Sequence, residues 1–86
     1  MEITWDERKR LANLAKHGLD FAALDIDFFL TAMLRPAKLG RFMAIGSQPD
    51  GTITVIFAKL GAEGLSVISM RPAHKAERSL LNAKGN

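Results

Sequence analysis

Three runs rich in β-branched and aromatic residues, Arg41 to Gly46, Thr52 to Phe57 and Leu65 to Met70, are separated only by short stretches of turn-forming residues. Gln48-Pro49-Asp50-Gly51 closes the first gap and Leu60-Gly61-Ala62-Glu63-Gly64 the second, both using residues suited to positive backbone dihedrals. Each gap reads as a hairpin, so this half of the chain is expected to form an antiparallel meander. The last run breaks at Pro72 into a stretch of helical spacing. Ala73, Ala76, Leu80 and Ala83 form its stripe, with His74, Lys75 and Arg78 largely off it.

Ahead of the meander, Ile3 to Trp5 can form a short strand, and Asp6 can cap a helix by accepting a first-turn amide. Thr4 with Glu7 offers a competing capping box. The helix is expected to run to about Lys16, with Leu11, Ala12, Leu14 and Ala15 inward, Asn13 among the polar residues, and Gly18 as its stop. Phe21, Leu24 and Phe28, three and four residues apart, predict a second short helix, and Arg35 to Gly40 reads as a connector. The expected class is α+β in a single domain over residues 1–86.

Composition narrows the function. The 86 residues include no cysteine, which excludes disulfides and thiolate metal sites, and the two histidines are not expected to form a metal site. No metal and no other cofactor is expected. No apolar run approaches the ~18 residues of a membrane span and no basic leader precedes an apolar core, so the chain reads as cytoplasmic, with no membrane partner. Residues 1–70 carry 8 basic and 8 acidic side chains. The net charge of +3 therefore belongs to residues 71–86, where Arg71, Lys75, Arg78 and Lys84 face only Glu77. With a sequence pI near 9.7, this clustering points toward nucleic acid.

Trp5-Asp6, Asn13-Leu14 with Lys16-His17-Gly18, Phe21, Arg41-Phe42-Met43-Ala44-Ile45-Gly46, Ile68-Ser69-Met70-Arg71-Pro72-Ala73 and Glu77-Arg78 together resemble the BrnT family. These are small toxins of type II toxin-antitoxin pairs, and the resemblance spans almost the whole chain in order. It implies a RelE/ParE-like fold: an N-terminal strand, one or two helices, an antiparallel sheet and a C-terminal helix. It also implies RNA cleavage that arrests growth and neutralisation by a ribbon-helix-helix antitoxin of the BrnA type. Operator DNA would be bound through that antitoxin complex. The chain departs from the family pattern where Leu60, Ser66 and Pro72 stand in place of expected cations.

Metal-free RNA cleavage needs a group that stabilises charge on the phosphate and groups that move protons. Arginine suits the first task, since its planar fork grips two oxygens and keeps its charge. Arg71 is the first candidate, and Arg78 and Glu77 match the family's Glu-Arg pair, with Glu77 expected to accept a proton or orient a base. His17 is the matching histidine, and imidazole is the side chain whose charge changes near neutral pH. Lys59, Arg41, His74 and Lys75 complete the expected nucleic-acid contacts. The runner-up reading is a catalytically degenerate relative that keeps the fold as a protein-interaction or nucleic-acid-binding module. A ParE-like poison of a protein target is a third.

Overall fold

The computed structural model describes residues 1–49 and 51–84, and for residues 83 and 84 the backbone alone. Asp50 in the first predicted turn, and the side chain of Ala83 in the predicted helical stripe, lie outside what it describes. The elements follow in the order β1 (Glu2–Trp5), α1 (Glu7–His17), a 3₁₀ turn (Phe21–Ala23), α2 (Ile26–Thr31), β2 (Met33–Pro36), a second 3₁₀ turn (Lys38–Gly40), β3 (Phe42–Gln48), β4 (Gly51–Leu60), β5 (Gly64–Pro72) and α3 (Lys75–Lys84). The described strands pair in a sheet of order β1-β5-β4-β3-β2, with β1 parallel to β5 and the other neighbours antiparallel. The expected meander is its centre. The strand β2 replaces part of the predicted connector: at a sheet edge Pro36 interrupts no ladder on its outer side, so proline did not prevent pairing.

Alternation sorts the sheet into two faces. Ile53, Val55 and Phe57 of β4, Leu65, Val67 and Met70 of β5 and Ala44 of β3 turn toward Phe21, Leu24, Phe28 and Phe29 and form the core. Gly46 belongs to this face for a steric reason, since a Cβ there would sit 2.7 Å from the Phe28 ring. The opposite face carries the row Ile45, Thr54 and Arg71, covered by α3. Ile68 is the extra residue of a bulge in β5, because Ile56 pairs with Ser69 and Phe57 with Val67.

The predicted second helix divides in two. Asp20 accepts the amide of Ala22 and caps the 3₁₀ turn, while Asp25 accepts the amide of Phe28 and starts α2. Phe21, Leu24 and Phe28 nonetheless all reach the core, as their spacing implied. In α1, Asp6 caps through the Arg8 amide at 2.8 Å and Gly18, at φ 70°, ends the helix.

The inward face of α1 differs from the expected one. Leu11 is 52% exposed and Ala12 and Ala15 are exposed, whereas Asn13 is buried, flanked by half-buried Arg10, Leu14 and His17. The cause lies in β5. Its partner β1 ends at the Trp5–Val67 pair, so Met70 beyond it has backbone groups with no strand to meet. The Asn13 side chain supplies both partners, donating Nδ2 to the Met70 carbonyl at 2.8 Å and accepting the Met70 amide at 3.0 Å. Its second Nδ2 hydrogen bond goes to the Leu19 carbonyl.

Asn13→Ala should leave the Met70 amide and carbonyl unsatisfied, at about 1–3 kcal/mol each. The expected readout is a lower urea midpoint with an unchanged m-value.

Candidate active site

Arg71 sits one residue past Met70, where the Asn13 clamp on one side and the β4 ladder on the other fix the strand. Its guanidinium meets Glu77 fork to fork, Nη1 to Oε1 and Nη2 to Oε2, both at 2.8 Å. Oε1 of Glu77 also accepts the Thr54 hydroxyl at 2.9 Å and the His74 backbone amide at 2.7 Å. The last contact is half of a capping box: a glutamate in the first turn of α3 reaches back to the amide just before the helix. One carboxylate thus ties together β4, β5 and the start of α3. This also explains why α3 turns Glu77, Leu80 and Leu81 inward and leaves Ala76 exposed, a rotation from the expected alanine stripe; Ala73 is buried just ahead of the helix.

These bonds set the charge states. The Arg71 fork, with the His74 amide and the Thr54 hydroxyl, outweighs partial burial and holds the Glu77 carboxyl at about 2. Arg71 is raised in turn, chiefly by its bonds to Glu77. A carboxylate held that low and already accepting four hydrogen bonds is a poor proton acceptor. Its four bonds suit an anchor that fixes the direction of Arg71.

Arg71 faces a cleft of about 390 Å³ between α1 and β5, lined also by Lys9, Lys16, His17 and Ser69. Among the described residues, its walls hold no carboxylate. Lys9 and Lys16 were not anticipated as site residues, although positions 9, 12, 13 and 16 share one helical face and so offered a signal.

Of the expected residues, the structure brings together Arg71, Glu77 and His17. His74 stands near them, with a side chain 71% exposed and Nδ1 3.8 Å from Glu77 Oε1. Arg78 is turned elsewhere, donating to the Ala73 carbonyl at 2.8 Å and bracing the connector into α3. Lys75 is exposed at the first position of α3. Lys59 is excluded from the cleft: it pairs across from Leu65, six residues down β5 from Arg71, on the core face, with its ammonium 5.0 Å from the Phe42 ring centroid. Arg41 precedes β3 near the same distant end. Leu60, Ser66 and Pro72, where the chain departs from the family pattern, do not line the cleft. Trp5 packs against the core and donates Nε1 to Glu7 at 3.2 Å.

The family model for the ribonuclease toxin BrnT of type II toxin-antitoxin systems matches residues 5–77. The chain belongs to the BrnT toxin family. The crystal structure of the Brucella abortus ribonuclease toxin BrnT is similar at 55% sequence identity and a TM-score of 0.80, covering 87% of this chain and 99% of that one. A comparison with curated proteins finds no match. As a BrnT toxin the chain is a ribonuclease of a type II pair, which implies an RNA target and an antitoxin partner. Among the described residues, no helix of this BrnT-family chain is long and apolar enough to cross a membrane.

The depressed Glu77 carboxyl has a signed consequence. Stability from its ionisation is present above the ordinary glutamate value of 4.5 and is lost as pH falls toward about 2. Glu77→Gln should therefore melt below wild type at pH 7, and the gap should narrow as pH falls from about 4.5 to 2 in thermal melts.

Proposed function

We propose that this BrnT-family toxin, with a RelE/ParE-like fold, cleaves RNA by attack of a ribose 2′-hydroxyl on the adjacent phosphorus in the α1–β5 cleft. The observation that carries this reading is Arg71, held by Glu77 on a strand clamped by Asn13 and lining a cleft together with Lys9, Lys16 and His17. The 2′-oxygen forms a new bond to phosphorus as the bond to the 5′-oxygen breaks, leaving a cyclic phosphate and a free 5′-hydroxyl. Arg71 neutralises the charge that develops on the non-bridging oxygens, and its fixed geometry means that little reorganisation accompanies the step. Lys9 and Lys16 hold the phosphates on either side as point charges. His17 takes the 2′-hydroxyl proton or delivers one to the leaving oxygen, a role Glu77 is too acidic to fill. Lys75 extends the positive edge toward the solvent beside the exposed His74, and Arg78 supports the connector rather than the phosphate.

Arg71→Ala should lower RNA cleavage by about 10² to 10³. Pairing it with Glu77→Gln avoids stranding a half-buried carboxylate, so a folded double variant can be compared with Glu77→Gln alone. Growth arrest on induction and cleavage of total RNA in vitro are the readouts. A folded variant lacking Arg71 that still cuts at the rate of its parent overturns the assignment.

The antitoxin in this reading is a ribbon-helix-helix protein of the BrnA type, and operator DNA is bound through the complex of the two. A surface separate from the cleft supports a protein partner. A groove of about 590 Å³ opens between α2 and the β4–β5 turn, lined by Phe29, Leu30, Leu34, Phe57 and Leu65, with Lys59 at its rim. Leu30 is 69% and Leu34 54% exposed there, an apolar patch that an amphipathic segment would cover. Leu30→Glu with Leu34→Glu should abolish co-purification of the antitoxin while RNA cleavage persists. Retained co-purification would place the antitoxin elsewhere.

A further inference from the structure

The face of the sheet that carries Arg71 is only partly covered. The α3 helix closes over the row Ile45, Thr54 and Arg71, of which Ile45 and Thr54 are fully buried. The next row, Ser69 of β5, Ile56 of β4, Met43 of β3 and Arg35 of β2, lies on the same face by register and is left half-buried to exposed. This row begins inside the cleft, at Ser69, and ends at a basic hairpin. Arg35, Lys38 and Arg41 fall within seven residues of the β2–β3 hairpin, and no acidic residue occurs between Asp27 and Asp50. None of the three enters an ion pair among the described residues.

From this we infer that the open row is the track along which single-stranded RNA leaves the cleft, with Arg35 and Arg41 gripping two neighbouring phosphates a few nucleotides from the cut. The inference rests on the ribonuclease reading and extends its site. Three strand spacings and a two-residue offset separate Arg71 from Arg35 by roughly 15 Å, the reach of a short single strand rather than of one nucleotide. The floor between them, Ile56 and Met43, is half-buried, apolar and uncharged, which suits base faces. The cations stand at its two ends, where phosphates would lie. A peptide partner rich in acid would instead meet charge only at the ends and an apolar middle.

The test is binding of 2′-O-methyl RNA, which lacks the attacking hydroxyl, by fluorescence anisotropy with wild type and with the Arg35→Ala/Arg41→Ala double variant. Thermal melting confirms that the variant is folded. Losing two phosphate contacts should weaken an octanucleotide about tenfold at low salt and reduce the slope of log K against log salt by about 1.4, while a dinucleotide changes within about twofold. Equal losses at both lengths, or no loss on the octanucleotide, would overturn the track. So would intact RNA binding combined with loss of the antitoxin, which would make the hairpin a protein surface. Failure of wild type to bind or cut any RNA would instead remove the ribonuclease reading, and the track with it.

Discussion

The Asn13 side chain, buried against the backbone of Met70, is the contact on which the arrangement of the site depends. A strand whose parallel neighbour stops early exposes an amide and a carbonyl that must find partners. A carboxamide is suited to meet both, because it carries a donor and an acceptor on one planar group. The consequence is positional. With Asn13 fixed on β5, the residues one turn away on α1, Lys9, Lys16 and His17, are brought to the wall opposite Arg71. A helix docked by apolar packing alone would have presented Leu11 and Ala15 to the sheet and turned its cations away.

Glu77 performs the complementary task from the other side. Its carboxylate accepts bonds from three elements and uses the arginine fork in full, so Arg71 is held in one direction before any substrate arrives. Such preorganisation is where an electrostatic catalyst gains most. The same bonds hold the Glu77 carboxyl well below the usual carboxylate range, which suits an anchor better than a base.

The sequence made much of the fold legible. The meander followed from three β-rich runs and two turns, the start and stop of α1 from Asp6 and Gly18, and the reach of Phe21, Leu24 and Phe28 into the core from their spacing. It misread the places where a polar group outranked an apolar one. Helical periodicity places Asn13 on the polar face of α1 and draws the stripe of α3 through Ala76 rather than Glu77, because it counts hydrophobicity and cannot see a distant unpaired amide. The strand β2 was obscured by Pro36, which is tolerated only because β2 is an edge. Lys59 and Arg41 looked like neighbours of Arg71 by charge, yet strand register carries them to the far end of the sheet.

By itself the sequence determined the α+β class, the order of most elements, the positive bias of the C-terminal segment and, through an ordered set of short motifs, the toxin family. Those properties are local or compositional: turn chemistry, periodicity and motif order are written along the chain. Which cations share a cleft, which carboxylate is an anchor and which face of the sheet stays open were decided by tertiary structure. They depend on where β1 ends relative to β5 and on hydrogen bonds spanning 57 and 23 residues, from Asn13 to Met70 and from Thr54 to Glu77. No local pattern encodes such a pairing, because its driving force is the need of a buried backbone group for a partner that only the folded chain can bring to it.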